Sequence, residues 1–380
     1  MTVRCEKLIQ GGLALSHGEK GQVILVKGAL PGELVEIQLD EKKSDYLVCH
    51  VTTILEASPD RVEPLCPYYG ICGGCDFQML ASAKQSEIKQ LLVEENLRRI
   101  AGLDDLETEP VASGPMWNYR SRCRFHIDVR TKQIGFLGKR TNSVLDIKNC
   151  PVLVPQLNQL LLDRTFLWEE ARKAMFSNKV SNGLVEVNVF CGDKDVTCDQ
   201  KIVLATIGGH TFAVDGRVFF QGNAFLLPQM GSFVQQQTVG SIVMDLYGGV
   251  GTFSKFLGAE RQITLVERDP NCLRLAKRNV PFASLYTQDV AQWKQTGPID
   301  TVVVDPPRVG LADMVPAMIA SWKPARIIYM SCDSVSLARD VSRFAKVGYT
   351  ARRLKVFDMY PQTFGQEACV VLDGKESANA

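Results

Sequence analysis

The stretch that decides the fold is Asp245-Leu246-Tyr247-Gly248-Gly249-Val250-Gly251, which continues an apolar run from residue 241 and precedes a helical pattern. Glycines at a strand end let a ligand approach the backbone closely, and open α/β sheets bind their ligands at this carboxyl edge. The dinucleotide pattern G-x-G-x-x-G fails here, because a match starting at Gly249 meets Ser254 at its last position. The stretch therefore indicates a nucleotide-like ligand, with a dehydrogenase kept as the alternative.

Three further apolar runs follow, at residues 262–266, 301–304 and 325–330, with helical patterns between them. Runs this apolar are typical of parallel strands that are covered on both faces. From residue 216 onward the sequence therefore predicts an α/β domain built on a parallel sheet.

Two acidic residues follow the strands beside the glycine stretch. Glu267 closes the second strand, where a carboxylate can accept both hydrogen bonds of a ribose diol. Asp289 falls beyond the third strand, where methyltransferases usually border the adenine ring. Together they favour S-adenosylmethionine over a nicotinamide dinucleotide.

Asp305-Pro306-Pro307-Arg308 comes directly after the run at 301–304. Two prolines fix an extended turn, so the carboxylate of Asp305 is held in one position. Enzymes that methylate exocyclic amines have an aromatic residue where Arg308 stands, and RNA cytosine-5 methyltransferases have a cysteine in this turn. The sequence therefore argues against both of these reactions.

Cys332 follows the run at 325–330, and a helix is predicted to begin near Ser334 or Ser336. A helix N-terminus favours the thiolate, which is the nucleophilic form of cysteine. A thiolate that adds to carbon 6 of uracil makes carbon 5 able to accept a methyl group. A base must afterwards remove the proton from carbon 5. A cysteine at a strand end is also compatible with a purely structural role.

A second group of cysteines has the spacing C-x5-C-x2-C, formed by Cys66, Cys72 and Cys75, with Cys150 as a distant fourth. Four thiolates fit zinc or an iron–sulfur cluster equally well by count. The three-plus-one arrangement favours a [4Fe–4S] cluster over zinc.

Residues 1–58 contain short alternating apolar runs around Pro31-Gly32, which predict a small β-barrel of the oligonucleotide-binding kind or a purely structural β module. The net charge of +1 gives no overall attraction to nucleic acid, so a basic face must be local, as in residues 119–124. No apolar run approaches the length that crosses a bilayer, and residues 1–6 do not read as a secretory signal. We expect a cytoplasmic protein without membrane contact.

The whole chain resembles the RNA uracil-5-methyltransferase family. Beyond the glycine stretch, the cysteine motif and the Asp-Pro-Pro-Arg turn, the matching motifs are Phe219-Phe220-Gln221-Gly222-Asn223, Ser331-Cys332 with 337–340, and 358–363 through Glu367. The resemblance implies a [4Fe–4S] cluster on the four cysteines, attack by Cys332 and proton removal by Glu367. It also implies contacts to S-adenosylmethionine from Gln221, Tyr247, Glu267, Asp289 and Asp305.

The resemblance further implies three domains: a TRAM-like barrel at 1–58, an α+β iron–sulfur domain at 59–215, and a class I, Rossmann-like methyltransferase domain at 216–380. Family members with both a TRAM domain and the cluster mostly modify large-subunit ribosomal RNA, so 23S rRNA is the expected substrate and transfer RNA the alternative. We expect a monomer. A different class of alternative is an RNA-binding protein with an inactive methyltransferase fold.

Three positions depart from the family pattern. Asp333-Ser334 replaces the usual Asn-Pro, Gly365 stands where a histidine commonly precedes the glutamate, and Gly248 replaces a frequent cysteine. None of these changes removes a reacting group, so they bear on substrate and rate more than on the chemistry.

Overall fold

The computed structural model describes residues 1–176 and 183–374. Its N-terminal part is a barrel of six strands in the order β1-β5-β6-β4-β3-β2. The strands are β1 (Thr2–Arg4), β2 (Lys7–Ile9), β3 (Leu13–His17), β4 (Val23–Lys27), β5 (Leu34–Lys42) and β6 (Tyr46–Glu56). β1 pairs with β5 and β2 with β3, and only two residues separate β1 from β2, so the N-terminal segment closes the sheet.

The core of the barrel follows from strand alternation. In β4, Ile24 and Val26 are buried while their neighbours are partly exposed, as expected for a strand with one face inward. Phe77 and Leu80, which lie beyond the predicted end of this domain, complete the same core. The barrel is thus packed against the segment that follows the cysteine motif.

Apolar residues at helical spacing, with charges between them, predict a helix near residues 82–100. The structure confirms it: helix α1 (Ser82–Asn96) continues into a π-helical turn (Leu97–Ala101). Val93 and Leu97 are buried in the core of the C-terminal sheet. The short strand β7 (Glu107–Thr108) pairs with the edge of that sheet. Part of the region that the sequence assigns to the central domain therefore packs on the C-terminal domain, while the three-domain division stays a prediction.

The central region has a five-stranded antiparallel sheet in the order β10-β9-β8-β11-β12, followed by a hairpin. Its elements are β8 (Arg122–Asp128), β9 (Gln133–Leu137), β10 (Val144–Asp146), α2 (Pro155–Asp163), α3 (Thr165–Phe176), β11 (Leu184–Cys191), β12 (Val196–Thr197), β13 (Val203–Ile207) and β14 (His210–Val214). The sequence pattern predicts one amphipathic helix near residues 155–175, and this prediction is wrong. Arg164 has a left-handed φ of 62°, which ends α2 and separates it from α3.

The C-terminal sheet has eight strands in the order β17-β16-β15-β18-β19-β21-β20-β7. Its elements are α4 (Leu227–Gln237), β15 (Ile242–Leu246), α5 (Thr252–Leu257), β16 (Gln262–Glu267), α6 (Pro270–Asn279), β17 (Ser284–Thr287), a 3-10 turn (Val290–Gln292), β18 (Thr301–Val304), α7 (Val315–Ser321), β19 (Arg326–Ser331), α8 (Ser334–Lys346), β20 (Tyr349–Phe357) and β21 (Glu367–Gly374).

The five strands from β17 to β19 are parallel, and β21 inserts antiparallel beside β19. Every residue of β18 is buried, which confirms the prediction from its apolar run. The strand order reverses between β15 and β18, and a sheet of this kind opens a ligand crevice at that point. Among the described residues, none of the helices combines the length and apolarity needed to cross a bilayer.

Candidate active site

A cleft of about 520 Å³ opens at the carboxyl ends of β15, β16, β18 and β19. Six of the seven residues predicted for cofactor binding and catalysis line it: Gln221, Tyr247, Glu267, Asp305, Cys332 and Glu367. The seventh, Asp289, lines an adjoining cavity of about 360 Å³. Both cavities share Tyr247 and Pro307. The individual roles of these residues stay predictions.

The glycine stretch shapes the floor of the cleft. A Cβ atom at Gly248 would lie 2.5 Å from Cγ of Leu265, so the cysteine frequent in the family would collide with this side chain. Asp245 is buried below, and its Oδ2 accepts hydrogen bonds from the Ser254 hydroxyl at 2.6 Å and amide at 3.2 Å. Its Oδ1 has no partner among the described residues.

Two further groups are available for a cofactor. The carboxylate of Glu267, at the end of β16, accepts hydrogen bonds from the amides of Gly249 at 3.1 Å and Asp269 at 2.8 Å. Gln221 is buried, and its Oε1 has no partner within the described part of the chain. A buried polar atom without a hydrogen-bond partner is costly. A ligand that donates to Oε1 of Gln221 or Oδ1 of Asp245 would therefore be stabilised. The residues therefore fit a polar, nucleoside-containing cofactor.

Cys332 lies at the end of β19, directly before α8. Burial raises the pKa of its thiol to about 12, assisted by the charges of Glu367 and Asp305, whereas Arg308 lowers it. Burial therefore outweighs the effect of the helix N-terminus that the sequence predicts for this thiol. Asp333 caps α8, and its Oδ1 accepts hydrogen bonds from the amides of Val335 and Ser336.

Three carboxyl groups interact electrostatically: Asp305 and Glu367 line the cleft, and Asp245 is buried below it. Burial and the charge of Asp245 raise the pKa of Asp305 to about 7, and burial raises the pKa of Asp245 to about 6. The pKa of Glu367 lies well above its usual range, because the group is buried and near Asp305. The hydroxyl of Tyr360 donates to its Oε1 at 3.2 Å. Perturbed carboxyl groups of this kind are common where acid–base chemistry occurs.

Two residues that line the cleft, Arg308 and Tyr360, were not predicted from the sequence to have a functional role. Arg308 was used only to exclude other reactions, yet it lines the cleft and lowers the pKa of both Cys332 and Glu367. Tyr360 stands inside a recognised motif, but nothing in the sequence signals its hydrogen bond to Glu367.

An aromatic and a basic side chain meet at the mouth of the cleft. Phe219 is 58% exposed, and the guanidinium of Arg122 lies 5.4 Å from the centre of its ring. Exposed aromatic rings next to arginines are suited to stacking on nucleic-acid bases.

The four cysteines of the second group line a separate cavity of about 410 Å³. Burial raises the pKa of Cys75 to about 12 and that of Cys150 to about 11, and neighbouring thiols of the group contribute to both shifts. However, no set of three or more His, Cys, Asp or Glu side chains in the described ranges is arranged to hold a metal ion. The structure brings the four thiols together without showing a metal site.

Comparisons with known proteins agree with this geometry. Residues 277–375 match the family model described as tRNA (Uracil-5-)-methyltransferase. The chain is 30% identical to "23S rRNA (uracil(1939)-C(5))-methyltransferase RlmD" of Shewanella amazonensis, over 98% of this chain and 95% of the relative. It is 27% identical to an "Uncharacterized RNA methyltransferase" of Treponema denticola, over 95% and 96%.

The same fold is found in a crystal structure of the Pyrococcus abyssi tRNA (uracil-54, C5)-methyltransferase in complex with S-adenosyl-L-homocysteine. The TM-score is 0.74 at 22% identity, covering 98% of this chain and 100% of that one. The fold and the cleft thus define an S-adenosylmethionine-dependent methyltransferase. With the near full-length match at 30% identity, the chain belongs to the RNA (uracil-5-)-methyltransferase family.

Proposed function

We propose that the chain transfers a methyl group to carbon 5 of a uridine in 23S rRNA. The observation that carries the proposal is that Cys332 and Glu367 line the same cleft as the residues expected to bind the cofactor. Bound S-adenosylmethionine supplies the methyl group from its sulfonium. Gln221, Tyr247, Glu267 and Asp289 would hold it, and Asp305 would place a carboxylate near its positive charge.

The protein's part begins with the Cys332 thiolate, which adds to carbon 6 of the uracil ring. After carbon 5 has taken the methyl group, the Glu367 carboxylate removes the proton from carbon 5. The electrons of that C–H bond re-form the 5,6 double bond, and the sulfur leaves carbon 6 as thiolate. Arg308 lowers the pKa of Cys332. It would therefore stabilise the thiolate both before it attacks carbon 6 and when it leaves carbon 6.

The choice of 23S rRNA rests on the relative from Shewanella amazonensis, and on the barrel and cysteine group that accompany the cleft. We propose that the barrel is a TRAM-like RNA-binding domain, and that Phe219 and Arg122 stack on a base beside the target. The target uridine must leave its stack to reach Cys332. One chain supplies every group proposed here, so we expect a monomer. We also expect the protein to act in the cytoplasm.

We further propose that Cys66, Cys72, Cys75 and Cys150 hold a [4Fe–4S] cluster. A cluster with four irons needs space between its thiolates, and the cavity that they line offers such space. The methyl transfer contains no redox step, so the cluster would serve structure or RNA positioning. Anaerobically purified protein should be brown, with iron and sulfide near four per chain. Colourless protein with stoichiometric zinc would refute this part.

The decisive experiment incubates the purified protein and labelled cofactor with unmodified 23S rRNA and, separately, with tRNA transcripts. Nucleoside analysis should find 5-methyluridine in the 23S rRNA. Methylation of tRNA alone would favour the alternative substrate, and 5-methylcytidine would overturn the assigned base. Cys332→Ala should abolish transfer, while Cys191→Ala, which removes a buried thiol of β11 outside the cleft, serves as its control. Full activity of Cys332→Ala would refute the mechanism.

A further inference from the structure

Tyr360 lies in the segment between β20 and β21, and it lines the cleft with Cys332 and Glu367. Its hydroxyl donates a hydrogen bond to Oε1 of Glu367 at 3.2 Å. Burial and the charges of Glu367 and Cys332 raise the pKa of Tyr360 well above its usual range, so the hydroxyl keeps its proton at neutral pH. Tyr360 is therefore a permanent hydrogen-bond donor to the group proposed as the base.

The neighbourhood of Gly365 explains why a tyrosine can reach this position. A Cβ atom at residue 365 would lie 3.3 Å from Cδ2 of the Tyr360 ring and 3.3 Å from Oγ1 of Thr363. The family resemblance places a histidine at this position in many members. In this protein the position carries no side chain, and the ring of Tyr360 lies against it.

The backbone that carries Tyr360 is fixed by other parts of the chain. The buried Lys89 donates to the carbonyl of Tyr360 at 3.0 Å, and Thr363 donates to it through its hydroxyl at 2.8 Å. The Tyr119 hydroxyl donates to the carbonyl of Pro361 at 2.9 Å. The phenol is thus presented to Glu367 by a segment that has few alternative positions.

We infer, on the basis of the proposed role of Glu367, that Tyr360 is the positioning residue for proton removal. The Tyr360 hydroxyl donates its hydrogen bond to Oε1 of Glu367, and Oε2 of Glu367 then accepts the proton from carbon 5. The hydrogen bond stabilises the charged carboxylate, and only that form can accept the proton. Burial and the charge of Asp305 raise the pKa of Glu367, whereas Arg308 and the Tyr360 hydrogen bond lower it. The charge of Glu367 also interacts with the Cys332 thiol. Without the phenol, Glu367 would stay protonated to higher pH.

The test uses the full-length protein with S-adenosylmethionine and a 23S rRNA transcript that carries tritium at carbon 5 of its uridines. Methyl transfer, tritium release and the covalent protein–RNA complex on denaturing gels are measured from pH 6 to 9. Tyr360→Phe should still transfer the methyl group but release tritium about tenfold more slowly or worse, since a hydrogen bond to a charged group is lost. The covalent complex should accumulate, and the pH midpoint of release should move upward.

The matched control is Tyr119→Phe, which removes a buried hydroxyl that holds the same segment without touching Glu367. It should slow all steps together, with no accumulated complex and no shift in the pH midpoint. Release by Tyr360→Phe at the wild-type rate, or the same trapping by Tyr119→Phe, would overturn the inference. The variant Glu367→Gln distinguishes the proposed base from the proposed positioning residue. If Glu367→Gln traps the covalent complex while Tyr360→Phe does not, only the role of Tyr360 is refuted. If Glu367→Gln releases tritium normally, the proposed base is wrong, and the role of Tyr360 falls with it.

Discussion

Lys89 and Asp358 form a buried ion pair that joins helix α1 to the segment before Glu367. Nζ of Lys89 lies 2.5 Å from Oδ1 of Asp358, and neither side chain is exposed to solvent. Within the described residues, Ser86 is the other side chain bonded to this carboxylate, and its hydroxyl donates to Oδ2 at 3.0 Å. Lys89→Met keeps the length and the apolar stem of the side chain but removes the charge.

The substitution should lower the free energy of unfolding by about 3–5 kcal/mol, because it leaves a buried carboxylate without its counter-charge. Asp358→Asn added to Lys89→Met should recover much of that loss, since the uncompensated charge is then removed. Lys84→Met is a control on the same helix. Lys84 pairs with Glu87 at the surface, and exposed pairs of this kind contribute no more than about 1 kcal/mol.

Urea unfolding followed by circular dichroism measures these differences, and the m-value shows whether the variants unfold in the same manner. Methyl transfer should fall as well in Lys89→Met, because Lys89 also holds the carbonyl of Tyr360. If Lys89→Met unfolds within about 1 kcal/mol of the wild type, or if the double variant is no better than the single one, the pair does not have the energetic role assigned to it.

Three other predictions concern the cleft. The pKa of Asp305 is raised from 3.8 to about 7, so the ligand-free fold loses stability as pH rises through this window, since the unfolded chain has already released the proton. Asp305→Asn should flatten that dependence in thermal unfolding and gain at most about 4 kcal/mol at pH 8, and an unchanged pH profile would contradict this. Arg308→Met should raise the pKa of Cys332, which is checked by slower iodoacetamide labelling of this thiol across pH. Phe219→Ala should weaken RNA binding by about 1–3 kcal/mol in fluorescence anisotropy, and an unaltered affinity would exclude the stacking role.

The sequence was sufficient for the parts of the fold that depend on local pattern. The apolar runs predict β18 and β19 because a strand covered on both faces needs apolar residues at nearly every position. Cys332 and the glycine stretch could be placed at one edge of the sheet, since the carboxyl ends of parallel strands meet there. The cleft confirms this placement.

The missing parts depend on contacts between distant residues or on backbone geometry. No periodicity shows that the Tyr360 hydroxyl reaches Glu367, or that Val93 and Leu97 pack on the C-terminal sheet. Position 164 carries an arginine instead of a glycine, so the sequence does not indicate its left-handed φ and predicts one helix where the structure has α2 and α3. The raised pKa of Cys332 comes from burial and neighbouring charges, which only the assembled cleft supplies.

The segment at 358–366 receives bonds from residues that lie near the other end of the chain. Gln85 and Lys89 are 277 and 269 residues away from their partners Gln362 and Asp358. During synthesis, the N-terminal barrel and α1 therefore leave the ribosome long before the strand order β19-β21-β20 can be completed. Lys89 cannot form its ion pair with Asp358 until the last part of the chain has been synthesised. A ribosome that stops before residue 358 would release a chain that has all six strands of the barrel but lacks Tyr360 and Glu367 of the cleft.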